Sequence, residues 1–335
     1  MPITIADVAR TAGVSVATVS RVINGQYQFM SESTRRRVEQ VIQDTGYIPN
    51  SLAQGLKGQR TNVIGIIISN LAHPFWASVL DGLEQTCRQQ GYNVLFCNSQ
   101  DDPELERQYL TMLQTKQVDG IIVNPTGQGV DKFFPLIQNK FPMVTLDRKL
   151  QSLGIPSVGI DNVYGASLAI EHLISLGHQR IGIVLYEPSG LSVREERLQG
   201  YKETLLKKGI SYDSDLVVYV DPALNNTKEA IRSLINVKTP PTAVFSTSLL
   251  LNIEVIAAFR EFGVRIPEQM SVVAFDDAIW APLLEPPLTT IAQPSREMGE
   301  EAANTVIRII EEPSREVSSV QLTPTLIERQ SARHI

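Results

Sequence analysis

From Val63 to Asp277 the chain alternates short, almost continuously apolar runs with amphipathic stretches, and few folds accept that pattern. VIGIIIS begins at Val63, YNVLFCN at Tyr92, GIIVNP at Gly120 and PMVTLD at Pro142; RIGIVLY begins at Arg180, LVVYV at Leu216, TAVFST at Thr242 and SVVAFDD at Ser271. Between them, 74–90, 105–118, 166–176, 197–208, 227–235 and 252–262 read as helices. A strand without polar alternation must be covered on both faces, so the pattern predicts parallel sheets sandwiched by helices. Eight such runs by Asp277, with more chain to follow, lead to an expectation of ten or more strands, which exceed one sheet and predict two α/β lobes. Ligands of such folds bind beyond the carboxyl ends of the strands, which here means the cleft between lobes.

That rule directs attention to Ser69 and Asn70 after the first strand, Asn98 after the second, Asn124 after the third, Asp147 after PMVTLD, and Asp276 with Asp277 after SVVAFDD. Phe75 and Trp76 open the first lobe helix, and Arg197 is expected to open the helix after RIGIVLY. Each alone is more often a helix cap or a surface residue. Together they compose a polyol site, with carboxylates and amides for hydroxyls and an aromatic face for the apolar side of a ring.

Ahead of this body lies TIADVARTAGVSVATVSRVIN, Thr4 to Asn24. Thr4 and Asp7 form a capping-box pair for a first helix whose Ile5, Val8, Ala9 and Ala12 share one face, and Gly13 stops it. Ser15 caps a second helix with Val19 and Val22 inward and Val16, Ala17, Ser20 and Arg21 outward. A third amphipathic helix follows, capped by Ser31 and carrying Arg35, Arg36 and Arg37 beside Val38, Val41 and Ile42. An αα-hairpin in a larger core is the plainer alternative. The outward face offers hydroxyls and a guanidinium instead of a second apolar stripe, which favours a helix-turn-helix whose second helix enters a DNA major groove.

A formal net charge of −6 looks wrong for a partner of DNA until the chain is divided. Residues 1–60 hold seven bases against four acids, and the remainder holds 23 bases against 32 acids. A basic head on an acidic body concentrates phosphate attraction on the head. Two cysteines, Cys87 and Cys97, show neither CxxC spacing nor a disulfide framework, which favours a reducing, cytoplasmic setting. No signal pattern and no membrane-spanning apolar run are evident, so neither export nor a membrane partner is expected.

The run GVSVATVSRVIN, the later GYIPNSLAQGLKG from Gly46 to Gly58 and ERQS at Glu328 to Ser331 occur in order along essentially the whole chain, and they resemble the lactose/galactose repressor family of bacterial transcription regulators. The resemblance implies an N-terminal all-α helix-turn-helix domain at 1–49, a hinge helix and linker at 50–60, and a two-lobed α/β effector-binding and dimerisation domain at 61–335, of the periplasmic-binding-protein type with parallel sheets. It implies phosphate contacts for Thr4, Ser15, Thr18, Ser20, Asn24, Ser31, Thr34, Tyr47 and Asn50, with Val16, Ala17 and Arg21 on base edges. In the hinge, Ala53 also faces DNA, and Leu56 matches a leucine pressed into the minor groove at the operator centre. Read without the resemblance, SLAQGLK is a linker, in which Gly55 costs helix stability about 1 kcal/mol relative to Ala.

For the cleft the resemblance implies effector contacts from Asp147, Arg197, Asp276, Phe75 and Trp76, with Asp161 in GIDN a weaker match. Ser69 and Ser248 complete the expected set. Where many members carry an Asn-Asp pair after the TAVF strand, this chain reads Ser246-Thr247-Ser248-Leu249. A ligand with fewer hydroxyls on that side, or an apolar edge meeting Leu249, is expected there, with Trp280 nearby. Neutral sugars rank first, sugar acids second and purines lower.

The expectation is therefore a repressor that binds a palindromic double-stranded DNA operator as a homodimer under control of a small sugar or sugar derivative. No heptad leucine tail follows ERQSARHI, so assembly is expected to stop at the dimer. The residues fit an effector that releases DNA and one that promotes binding, and none points to a protein corepressor. A sugar-binding transport receptor would share the body but not the head. An α/β enzyme would need a constellation that is missing: His73, His172, His178 and His334 lack HExxH spacing, and GxxxxGK[ST] and GxSxG are absent. Gly127-Gln128-Gly129 lacks the helix of a dinucleotide fingerprint, and Asp276-Asp277 lacks a third metal ligand nearby. No catalytic residues, metal or cofactor are expected. His178 is read as a dipole-complementing residue at a helix C-terminus.

Overall fold

The computed structural model describes residues 3–28, 30–47, 60–221, 224 and 226–335. The backbone divides into two units at Thr61/Asn62. In the first, α1 (Ile5–Ala12) begins with the capping box: the Asp7 amide donates to Thr4 Oγ1 and the Thr4 amide to Asp7 Oδ2 at 3.0 Å. Gly13 ends it at φ 64°, a left-handed conformation that costs glycine little. Ser15 and Ser31 cap α2 (Val16–Ile23) and α3 (Glu32–Thr45), accepting from the amides of Thr18 at 3.1 Å and Thr34 at 3.2 Å. Val8, Ala9, Ala12, Val19, Val22 and Val38 form the shared core. Small aliphatic side chains there let three short helices approach closely, which leaves most of the α2 surface outside.

The second unit is built on two six-stranded sheets. The first sheet runs β11-β5-β4-β3-β1-β2 from β1 (Val63–Ile68), β2 (Asn93–Asn98), β3 (Gly120–Val123), β4 (Met143–Leu146), β5 (Ser157–Ile160) and β11 (Val320–Leu322). The second runs β12-β10-β9-β8-β6-β7 from β6 (Ile181–Tyr186), β7 (Val217–Val220), β8 (Ala243–Ser246), β9 (Ser271–Phe275), β10 (Thr289–Ala292) and β12 (Thr325–Ile327). All pairings are parallel except β10 with β12. Strands such as β3, β4, β8 and β9 are buried at every residue, as sheets covered on both faces require.

Helices α4 (Phe75–Gln89), α5 (Pro103–Thr115) and α6 (Phe134–Gln138) belong to the first lobe, and α7 (Asn162–Ser175), α8 (Ser192–Lys207), α9 (Thr227–Ile235) and α10 (Leu249–Glu261) to the second. The chain then returns: α11 (Ser295–Glu311) packs on α4 and on β3, β4 and β5. Three segments therefore cross between lobes, β5 to α7, β10 to α11 and β11 to β12. Close helix pairs depend on glycine. A Cβ on Gly299 would lie 1.9 Å from the Val79 carbonyl oxygen, and one on Gly200 would lie 2.4 Å from that of Val163.

Two expectations need correction. α8 starts at Ser192, so Arg197 sits in its second turn and does not open it; the polar run SVREER hides the start because the helix is anchored further on, by Leu198, Tyr201 and Leu205. His178 lies beyond the end of α7 and is buried, with Nε2 donating to the Arg333 carbonyl at 3.1 Å and Nδ1 accepting from Thr242 Oγ1 at 2.8 Å. Burial holds its pKa below the ordinary value, so it is a neutral tether for the C-terminal segment and not a cation complementing a helix dipole.

Candidate functional site

In the head, α2 presents Val16 (45% exposed), Ala17 and Arg21 on its outer face, with Thr18 and Ser20 at the margin. Ser15 Oγ lies 2.9 Å from Thr18 Oγ1, and Asn24 at the C-terminal end reaches Ser20 Oγ at 3.5 Å. Thr4, Ser15 and Ser31 are helix caps, and Thr34 Oγ1 lies 2.8 Å from Ser31 Oγ. Tyr47 packs against the head core. Capping already uses the Thr4, Ser15 and Ser31 hydroxyls to order the helix starts. Asn50, Ala53 and Leu56 lie outside the described residues.

Between the lobes lies a cavity of about 200 Å³. Of the eight side chains expected there, seven line it: Ser69, Phe75, Trp76, Asp147, Arg197, Ser248 and Asp276. Asp161 does not. It caps α7 by accepting from the Tyr164 amide at 2.8 Å, and its own amide donates to the Leu322 carbonyl at 2.9 Å, which fastens the first crossing segment to β11.

On the first-lobe side, Asn124 is the organiser. Its Oδ1 accepts from the Ser69 hydroxyl, while Nδ2 donates to the Leu146 carbonyl at 2.9 Å and to Asp147 Oδ2 at 3.4 Å. Burial pushes the Asp147 carboxyl above its usual range, opposed by the charges of Arg197 and Arg148 and reinforced by that of Asp276. Phe75 and Trp76 meet edge to face at 5.2 Å and give the apolar wall.

On the second-lobe side, Asp276 Oδ2 accepts from the Leu249 amide at 3.0 Å and Oδ1 from Gln293 Nε2. Gln293 belongs to the second crossing segment. The buried Arg197 donates from Nε to Asn162 Oδ1 at 2.9 Å and from Nη1 to the Thr247 carbonyl at 2.6 Å, and its guanidinium lies 3.6 Å from the Phe275 ring centroid. Burial lowers its pKa, opposed by Asp276 and Asp147. These partners hold the guanidinium in one orientation against the cavity.

Sequence reasoning missed His73, Asp101, Arg148, Arg194 and Gln293, all of which line the cavity. His73, from the β1–α4 loop of the first lobe, places Nε2 3.8 Å from Asp276 Oδ2 of the second, and its buried Nδ1 has no hydrogen-bond partner. The one usable signal was position: His73, Asp101, Arg148 and Gln293 lie within five residues of a strand end, whereas Arg194 lies eight residues past β6, inside α8. Two expectations about the second-lobe wall fail. Leu250, not Leu249, faces the cavity, because the first turn of α10 buries Leu249. Trp280 stands on a separate apolar surface with Ile253 and Ile256. Asp277 is bound by Arg329 at 2.7 Å and Thr290 at 2.6 Å, which ties ERQS to β9; Ser331 completes the tie by donating to the Val272 carbonyl at 2.6 Å.

Residues 4–50 match the family described as bacterial regulatory proteins, lacI family, and residues 170–332 match the periplasmic binding protein-like domain. The chain is 33% identical over 338 residues to the probable HTH-type transcriptional regulator EndR of Paenibacillus polymyxa, covering 99% of this chain and 98% of that protein. It is also 33% identical to the HTH-type transcriptional repressor PurR of Photobacterium profundum, over 99% of both. Among solved structures, the lac repressor dimer bound to operator and the anti-inducer ONPF matches with a TM-score of 0.87 at 27% identity, over 99% of this chain and 100% of that one. The complex of the transcriptional regulator CelR with cellobiose matches at 0.72 and 32% identity, over 98% and 99%. With a capped helix-turn-helix, a two-lobed body and likeness along its whole length, the chain belongs to the lacI family of DNA-binding bacterial transcription regulators.

Proposed function

We propose that the protein is a repressor that binds a palindromic operator as a homodimer and is controlled by a sugar or sugar derivative held between its lobes. Residues 1–49 read DNA, 50–60 form the hinge, and 61–335 bind effector and dimerise. The observation that carries this reading is that Asp147 of one lobe and Asp276 of the other line a single cavity together with Arg197 and two aromatic rings. An effector spanning them binds one lobe orientation better than another and so shifts the population of lobe orientations. At about 200 Å³ the cavity is smaller than the ~300 Å³ at which drug-sized sites begin, and it suits a monosaccharide better than a larger sugar.

Dimerisation has its own support. Trp280 and Leu284 share an apolar surface with Ile253 and Ile256, and their chain neighbours Ile279 and Leu283 are 93% and 80% exposed; a second copy would cover such a surface. A dimer presents two recognition helices to matched half-sites, which one head of three short helices cannot do. A gel-shift titration on DNA from the protein's own upstream region, with and without sugars, tests the reading. A retarded complex that sugars leave untouched would remove effector control. Failure to shift that DNA would remove repression of its own promoter.

A further inference from the structure

The charges in the cavity balance in number but not in pairing. Three carboxylates, Asp101, Asp147 and Asp276, face three guanidiniums, Arg148, Arg194 and Arg197, with His73 beside Asp276. On the first lobe Arg148 is already neutralised by Asp101 at 2.8 Å and also donates to the Pro125 carbonyl at 3.1 Å. Asp276 is occupied by the Leu249 amide and Gln293. Arg194 and Arg197 are different. Neither has a carboxylate within salt-bridge distance among the described residues; each donates instead to backbone carbonyls, Glu187 for Arg194 at 2.6 Å and Thr247 for Arg197, and Arg197 also to the neutral Asn162.

Both arginines lie in the first two turns of α8, whose amide ends add positive potential to the same region. Burial, and then the like charge of Arg148 across the cleft, hold the Arg194 guanidinium below its ordinary pKa, opposed by Asp101 and Tyr186. Burial likewise pushes the Asp147 carboxyl towards its neutral form. A half-buried guanidinium that lines the cavity over the Tyr186 ring, with no carboxylate at salt-bridge distance among the described residues, is a ready partner for an anion entering the cleft.

Resting on the reading of the cleft as the effector site, we propose that the effector is a monosaccharide-sized polyol bearing an anionic group, a carboxylate or a phosphate ester, which binds Arg194 from the second lobe while facing Arg148 of the first. The hydroxyls go to Asp147, Asn124 and Arg197, and to Asp276, whose oxygens each keep a lone pair beyond the one used by the Leu249 amide or Gln293. Because the anion lies between arginines of opposite lobes, its charge draws the lobes together, and the neutral counterpart of the same sugar lacks that contribution.

The test is calorimetric titration of the full-length protein with matched sets: D-glucose, D-gluconate, D-glucuronate and D-glucose 6-phosphate, and the galactose counterparts. Arg194→Gln, Arg194→Lys and Asp276→Ala are titrated alongside, with Arg315→Gln as a control for loss of one surface charge. At least one anion is expected to bind about tenfold or more tighter than its neutral counterpart, as a charged hydrogen-bond partner provides. Arg194→Gln removes that preference, Arg194→Lys retains part of it and Arg315→Gln retains all of it; whether the acids or the phosphate esters show it identifies the anionic group. Neutral sugars binding as tightly as every matched anion, no anion binding at all, or Arg194→Gln weakening acid and neutral sugar equally would overturn the proposal. An anion bound equally by wild type and Asp276→Ala would contradict the cleft reading itself.

Discussion

Asp147 and Asp276 occupy matching places in the two lobes: each follows the third strand across its sheet, β4 in one and β9 in the other, and each adopts a left-handed backbone, with φ 64° and 76°. Non-glycine residues there cost about 1 to 3 kcal/mol and persist where the surroundings impose them, which is common at ligand sites. Asparagine tolerates the same conformation, so Asp→Asn exchanges test the charge without disturbing the backbone.

At Asp147 the sign of the effect is defined. Its folded-state pKa lies above the unfolded value, so as pH rises past ~3.9 the unfolded chain loses the proton first and stability falls until the folded group ionises too. Asp147→Asn is therefore expected to melt above wild type at neutral pH in the absence of effector, to lose that margin on acidification, and to bind effector more weakly. A lower melting temperature at pH 7 would contradict the account.

For His178 the direction is reversed. Its folded pKa is depressed, so it contributes stability that is complete above ~6.5 and is lost as pH falls through the folded value. Denaturant midpoints should fall from pH 7 to pH 5, and His178→Asn should remove part of that slope. Equal slopes for the two proteins would mean that the tether to Arg333 does not depend on the neutral ring.

How much could be read before folding follows from the range of each interaction. Lobes, strand ends and caps depend on local periodicity, and Asp147, Asp276 and Ser15 were legible for that reason. Arg197 was legible by resemblance, although the start of its helix was not. His73, Arg148, Arg194 and Gln293 reach the cavity from four separate segments, and apart from the nearness of His73, Arg148 and Gln293 to strand ends nothing in their local sequence distinguishes them from surface residues. Trp280 shows the opposite error, since nearness in sequence to Asp277 did not place it in the same wall.

On the DNA side, Arg21→Ala is expected to cost about 1 to 3 kcal/mol at one base position and to relax preference there. Binding measured over single-base operator variants checks it. Uniform weakening on every variant would assign Arg21 to the phosphates instead.

Leu56→Ala should lose operator affinity and operator bending together, because an apolar wedge kinks the duplex by unstacking a base step. Circular-permutation gels report the bend. An unchanged bend would take Leu56 out of the minor groove.

Central to the account is the coupling of cleft occupancy to DNA affinity through Asp276. A buried charged hydrogen-bond partner contributes roughly 1.5 to 3 kcal/mol, so Asp276→Ala should weaken effector binding at least about tenfold. The decisive measurement is operator affinity by fluorescence anisotropy across an effector titration, wild type against Asp276→Ala. The account predicts that the variant's operator response shifts to at least about tenfold higher effector concentration, while its effector-free operator affinity stays close to wild type. Superimposable response curves for the two proteins would contradict it.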